Sequence, residues 1–114
     1  MKALGARKIK SMETINISAV VKVCLSEYFM SGREGYKSGI RPNHIIAGRD
    51  YTFIGQLDFI DHEGWLKPGD CCNAIGRLLI PEQDVTKFKA GFTWHITEAG
   101  QIVGYVEYID TKST

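Results

Sequence analysis

The segment "INISAVVKVCL", residues 15–25, constrains the fold more than any other part of the chain. Its apolar side chains recur at every second position: Ile15, Ile17, Ala19, Val21, Val23 and Leu25. Successive side chains of a strand point to opposite faces of a sheet, so this period of two predicts a strand with one buried face.

Other short segments repeat this pattern along the chain. Strands are predicted at residues 43–47, 51–60 and 71–80 and in the two arms of a hairpin, "WHITEAGQIVGYVEYI". In the segment 51–60, Gly55 is expected to form a bulge. In the hairpin, Ile102 is expected on the same face as Val106 and Tyr108, and Val103 on the opposite face with Tyr105 and Ile109.

Glycine and proline separate these strands. A long glycine-rich loop is predicted at residues 26–41, a type II turn in "KPGD" and a polar loop at residues 81–90. The chain of 114 residues is enough for one domain. Six or so short strands without an amphipathic helix predict an all-β protein, a small closed barrel. We expect a basic, flexible tail at residues 1–14, the barrel at 15–110 and a short tail at 111–114.

Charge and cysteine content bear on the partners and the compartment. The formal net charge is +1, so any nucleic-acid or membrane partner would need a local patch. No apolar run is long enough to span a bilayer, and the basic start of the chain has no apolar stretch typical of a secretory signal. Because Cys24, Cys71 and Cys72 are odd in number and the last two are adjacent, we expect no disulfide framework and a cytoplasmic location.

Three kinds of chemistry fit the residue types but not their spacing. Cys71 or Cys72 with His62 and Asp70 could form a nucleophile, base and orienting acid, but buried packing thiols are the commoner use of cysteine. Zinc binding by His62, Cys71, Cys72 and His44 lacks a paired ligand spacing. "GREGYKSG" is not a phosphate-binding loop, because Tyr36 separates its glycine from Lys37. We therefore expect a protein that is not an enzyme, with no catalytic residue, nucleotide, cofactor or metal.

The glycine-rich loop carries the strongest binding signal in the residues themselves. Arg33, Lys37 and Arg41 alternate there with three aromatic residues, Tyr28, Phe29 and Tyr36. Cations contact phosphates and aromatic rings stack on bases, although Glu27 and Glu34 dilute the charge.

A series of motifs, taken in order, resembles the C-terminal barrel of elongation factor Tu. "GIRP" at residues 39–42 is similar to that family's G-x-R-P element, and "IGQL" at 54–57 to its T-G-x-apolar strand. "LKPGD" at 66–70 matches its turn and "LLIP" at 78–81 its strand end, while residues 92–106 resemble its closing hairpin. The resemblance covers residues 15–109. It implies a six-stranded antiparallel Greek-key barrel.

In that family the barrel helps to hold aminoacyl-tRNA and contacts the exchange factor, while the GTPase lies in another domain. The resemblance places the matching surface at Arg33 and Lys37 in the loop and at residues 97–101, including Thr97, Glu98 and Gln101. Thr97 and Gln101 stand where the family has cations, which weakens phosphate binding.

Two binding functions and one enzymatic function remain as hypotheses. The preferred one is a non-catalytic module that binds a protein, as a mimic or regulator of the translation factor or by neutralising a toxin. The second is a weak tRNA- or RNA-binding module that uses the basic loop, and the third is a cysteine enzyme. The site residues expected for binding are Arg33, Lys37, Arg41, Thr97, Glu98 and Gln101. The sequence does not predict the oligomeric state, and no membrane partner is expected.

Overall fold

All six strands of the computed structural model lie in one closed antiparallel barrel. The structure describes residues 13–28 and 32–112. The strands are β1 (Thr14–Leu25), β2 (Asn43–Ile45), β3 (Thr52–Phe59), β4 (Cys71–Pro81), β5 (Thr93–Glu98) and β6 (Gln101–Thr111), and a 3₁₀ helix spans Glu82–Lys87. Around the barrel their order is β1, β4, β3, β2, β5, β6, and β6 closes on β1. The predicted six-stranded antiparallel barrel is confirmed.

The strand order is that of a Greek key. β2, β3 and β4 follow one another as antiparallel neighbours, and β1, which precedes them in sequence, lies beside β4. The loop from β1 to β2 therefore crosses from one side of the barrel to the other. This loop is the glycine-rich segment that the sequence identified.

The alternation in β1 contributes one row of side chains to the barrel core. Ala19, Val21 and Val23 have no exposed surface, whereas the residues between them face outward. Trp94 is 1% exposed and packs at ring-centroid distances of 4.9 Å from Phe88 and 6.3 Å from Phe53. Burial of such large side chains contributes about 2 kcal/mol each and drives the closure of the sheet.

Gly55 is a close-packing position and not the bulge expected from the sequence. Its pairing with Leu78 continues the regular register of β3 on β4. A Cβ atom at Gly55 would lie 2.5 Å from Leu78 Cδ2 and 2.9 Å from His44 Nε2. The absence of a side chain therefore makes room for a residue that the barrel buries.

The predicted faces of β6 are wrong for two residues near its start, Ile102 and Val103. Val103 is buried with Val106 and Tyr108, and Ile102 is 55% exposed. The cause is an irregularity between Ile96 and Thr97, where the partner changes from Gly104 to Ile102. One extra residue in β6 reverses the alternation on that side of the bulge.

The polar segment at residues 81–90 is ordered around a buried carboxylate. Asp84, fully buried, accepts two hydrogen bonds at Oδ1 from Arg49, at 3.1 and 2.9 Å, and one at Oδ2 from Tyr51 at 2.6 Å. These contacts attach the 3₁₀ helix to the connection between β2 and β3. The sequence had predicted only a loop here.

The ends of the barrel differ from expectation by one residue, since β1 begins at Thr14 and β6 ends at Thr111. Of the predicted basic tail, residues 1–14, only Glu13 and Thr14 are described. Residues 1–12 lie outside the described residues, as do Phe29 and residues 113–114. Within the described part of the chain, no helix has the length and apolar character needed to cross a membrane.

Candidate interaction surface

The glycine-rich loop folds back onto the turn that precedes β4. Tyr36 pairs with Leu66 through two backbone hydrogen bonds of 3.0 and 2.7 Å, and both side chains are buried. Gly35 has φ +117°, and a Cβ atom there would lie 1.8 Å from the Leu66 carbonyl oxygen. Only glycine allows this approach, so the sequence fixes where the loop is anchored.

The anchored loop contacts the β5–β6 hairpin through three side chains, which we call the rim cluster: Arg33, Tyr36 and Glu98. The Tyr36 hydroxyl donates to Glu98 Oε2 at 2.6 Å, and Arg33 Nη1 donates to Glu98 Oε1 at 3.1 Å. Burial and the neighbouring Glu98 carboxylate raise the pKa of Tyr36 well above its ordinary value. The structure thus brings together Arg33 and Glu98, two predicted site residues 65 positions apart.

A tight turn presents the remaining predicted hairpin residues. Ala99 and Gly100 have φ values of 50° and 80° and connect Glu98 to its partner Gln101. Two successive positive φ values are typical of a two-residue hairpin turn. Gln101 is exposed, whereas Thr97 is only 8% exposed.

Thr97 belongs to a cross-strand row on the outside of the barrel, which we call the outer row. Its members, each opposite the next, are Ile54, Asn43, Thr97 and Ile102. Residues directly opposite each other on neighbouring strands share a face. The two isoleucines at its ends are 54% and 55% exposed. The sequence missed Ile102, because nothing in the apolar pattern signals the bulge.

Lys37, another predicted site residue, lies on a different part of the surface. Its Nζ is 4.9 Å from the centre of the Trp65 ring. It lines an open cleft of about 450 Å³ that also includes Phe59 and His62. His62 in turn donates from Nε2 to the Trp65 carbonyl oxygen at 2.8 Å.

Arg41 contacts β3 instead of the hairpin. Its Nε donates to Gln56 Oε1 at 3.0 Å, and Gln56 Nε2 donates to Asp58 Oδ1 at 2.9 Å. Arg77 Nε donates to Asp58 Oδ2 at 2.8 Å, and the hydrogen bonds from Arg77 and Gln56 lower the pKa of Asp58. The three predicted loop cations therefore contact three different elements and do not form one basic patch.

Tyr36 and Tyr28, both predicted to stack on bases, differ sharply in the exposure of their side chains. Tyr36 is 1% exposed, and its ring packs in the core. Tyr28 is 84% exposed. Among the described residues, Tyr28 is therefore the one predicted stacking residue whose ring is accessible to a base.

The cysteines, which were not expected to build a disulfide framework, nevertheless form one disulfide. Cys24 and Cys71 are disulfide-bonded, and Cys72 is a buried free thiol. Burial, with a smaller contribution from Asp61, raises the pKa of Cys72 to about 11. Neither Cys71 nor Cys72 is therefore an activated thiolate at neutral pH, and the argument from cysteine content to a reducing compartment no longer holds.

His44, which had been considered as a zinc ligand, lies inside the barrel. Its Nδ1 accepts a hydrogen bond from Trp94 Nε1 at 2.9 Å, and its Nε2 donates to the Gly55 carbonyl oxygen at 3.0 Å. We call these three residues the inner cluster. Burial lowers the pKa of His44 to about 4, so the ring is neutral at pH 7. Across the described residues, no three His, Cys, Asp or Glu side chains are grouped to hold a metal ion.

No family model and no curated protein matches the chain.

Proposed function

We propose that the chain is a non-catalytic binding module that docks a protein partner on the outer row. The observation that carries this proposal is the exposure of Ile54 and Ile102, 54% and 55%, on either side of Asn43 and Thr97. Exposed apolar side chains flanked by polar ones are typical of protein interfaces. Arg33, Glu98 and Gln101 would form part of the polar rim.

The charges near the hairpin favour a protein over RNA. Glu98 forms an ion pair with Arg33, so this cation beside the hairpin is neutralised by a carboxylate. RNA affinity depends on cations that displace counterions from phosphates, and a paired arginine contributes less to it. An apolar interface does not have this requirement.

The resemblance to the C-terminal barrel of elongation factor Tu suggests which process the partner belongs to. The motifs that carry this resemblance include the "GIRP" and "LKPGD" segments. The proposed surface includes the β5–β6 hairpin, which resembles the closing hairpin of that family. We therefore propose a mimic or regulator of the translation factor, with neutralisation of a toxin that targets it as one form of that role. A cytoplasmic location belongs to this proposal. The disulfide argues against that location, because disulfides persist in oxidising compartments.

The RNA-binding alternative is supported by a different part of the surface. Lys37 and Arg41 are both exposed, and Tyr28 is 84% exposed nearby in the sequence. Such residues bind single-stranded nucleic acid by charge and stacking. Because Lys37 and Arg41 contact separate elements, this binding would be weak.

The test is a pull-down with the full chain at low and high salt, comparing Ile102→Glu with Ile60→Glu. Ile60 is a matched control because it is also 55% exposed but lies outside the outer row. We expect one protein to be retained at high salt and lost with Ile102→Glu, but kept with Ile60→Glu. Thermal melting of both variants shows that the fold is intact.

Two outcomes would contradict the proposal. Equal binding by the Ile102 and Ile60 variants would remove the outer row from the interface. RNA recovered at low salt, lost at high salt and lost with Lys37→Ala and Arg41→Ala would favour the nucleic-acid function instead.

A further inference from the structure

The Cys24–Cys71 disulfide joins two directly paired residues of β1 and β4. The Leu25 amide donates to the Asp70 carbonyl on one side of this pair, at 3.0 Å. Successive backbone amides of a strand point to opposite sides, so the amide and carbonyl of Cys24 point away from β4, and Cys24 and Cys71 are not a hydrogen-bonded pair. Pairs without mutual hydrogen bonds lie closer together, and here the Cα atoms are 4.1 Å apart. A disulfide therefore forms without displacing the ladder.

The two ends of this disulfide differ in their access to solvent. Cys71 is exposed at the start of β4, whereas Cys24 is 5% exposed. On its other side Cys24 is paired with Tyr105 of β6. An attacking thiolate can therefore reach Cys71 more readily than Cys24.

The third cysteine, Cys72, lies where it cannot exchange with the disulfide. Cys72 follows Cys71 directly, and successive strand residues point to opposite faces, so its side chain lies in the core. It is 7% exposed, and the raised pKa of its thiol keeps it protonated at neutral pH. Internal exchange between Cys72 and the disulfide is blocked for both reasons.

We infer that Cys71 is a site of thiol–disulfide exchange at which an external dithiol reduces the disulfide while the barrel remains folded. The thiolate of the dithiol attacks Cys71 Sγ, the bond to Cys24 Sγ breaks, and Cys24 leaves as a thiolate that takes up a proton. The second thiol of the reagent then attacks the mixed disulfide, which releases Cys71 as a thiol and the reagent as its own disulfide. The protein gains two electrons and two protons, and the dithiol loses them.

The barrel does not depend on this bond for its strand pairing. The ladder between β1 and β4 extends from Thr14 opposite Pro81 to Cys24 opposite Cys71, at the very end of the pairing. β1 is also paired with β6 from Ala19 to Leu25. Breaking the sulfur–sulfur bond leaves both ladders in place.

The first experiment treats the oxidised full chain with dithiothreitol in native buffer, alkylates it and measures its mass. We expect one alkyl group, on the exposed Cys71, with an unchanged circular dichroism spectrum, and groups on the buried Cys24 and Cys72 only after denaturant is added. Resistance of the disulfide until denaturant is present would overturn the inference. Alkylation of all three cysteines in native buffer would also overturn it, because reduction would then unfold the barrel.

A matched pair of variants tests the asymmetry between the two ends. Cys24→Ser and Cys71→Ser both lose the disulfide, so they lose its stabilisation equally. With glutathione disulfide as the probe, Cys71 in the first variant should form a mixed disulfide at least about tenfold faster than Cys24 in the second. Peptide mapping assigns the modified residue. Equal rates would show that Cys71 is not the preferred point of attack.

Discussion

The inner cluster and the rim cluster each include one side chain of β5, Trp94 in the first and Glu98 in the second, yet the two clusters differ in charge. His44, enclosed by the barrel, is neutral and has a hydrogen-bond partner at each ring nitrogen. Glu98, at the hairpin, forms an ion pair with Arg33, with side-chain exposures of 25% and 40%. The difference teaches that a fully buried side chain without a counter-ion is held neutral and completely hydrogen-bonded, whereas an ion pair at a partly hydrated edge can keep its charges.

The largest expected effect comes from breaking the inner cluster. His44→Ala removes the acceptor of Trp94 Nε1 and the donor to the Gly55 carbonyl and leaves a cavity. We expect the free energy of unfolding to fall by about 4 kcal/mol, measured by urea denaturation. His44→Gln is the control, since its amide can accept and donate at the same positions. A loss under about 1 kcal/mol for His44→Ala would mean that the cluster does not stabilise the core.

Acid should weaken the inner cluster selectively. The folded-state pKa of His44, about 4, lies below the unfolded value of 6.5, so the unfolded chain binds the proton first as the pH falls. The stabilisation is complete above about pH 6.5 and is lost as the pH falls towards 4. Between pH 7 and pH 5 we expect a loss of about 2 kcal/mol.

The measurement for this second prediction is urea unfolding at both pH values, with His44→Gln alongside the wild type. Carboxylates change little in this range, so the variant should lose much less stability between pH 7 and pH 5. The same loss in both proteins would assign the acid sensitivity to other groups.

A smaller effect is expected at the rim cluster. Tyr36→Phe keeps the buried ring but removes the hydroxyl that donates to Glu98 Oε2. Water can reach the partly exposed carboxylate, so we expect a loss of about 1 kcal/mol in the free energy of unfolding. Glu98→Gln, which keeps an acceptor, should cost less. A loss for Tyr36→Phe as large as that for His44→Ala would abolish the distinction between the two clusters.

The smallest expected effect is a gain at the hairpin beside the rim cluster. Ala99 has φ 50°, a conformation that disfavours residues with a Cβ atom. Ala99→Gly removes this strain but increases the conformational freedom of the unfolded chain. We therefore expect the free energy of unfolding, measured by thermal denaturation, to rise by about 0.5 kcal/mol. Gly100→Ala, at φ 80°, is the opposite change and should destabilise. A loss of stability in Ala99→Gly would show that the turn is not strained.

The fold was largely predictable because it depends on local patterns. Alternation in β1 and the turn residues of "KPGD" act within a few positions, and the Asp70 amide does bond to the Lys67 carbonyl at 3.0 Å with Gly69 at φ 90°. The candidate site was only partly predictable. Arg33 and Glu98 were both named as site residues, but their contact depends on where the long loop is anchored.

The sequence by itself determined the strand periodicity, the turns and the all-β barrel, because side-chain alternation and backbone preferences are local. Only the tertiary structure decided which distant residues meet. The bulge in β6 exposed Ile102, and the register of β1 on β4 placed Cys24 opposite Cys71. The physical reason is that strand register and bulges are set by packing of the whole barrel, and one residue of shift moves a side chain from the core to the surface.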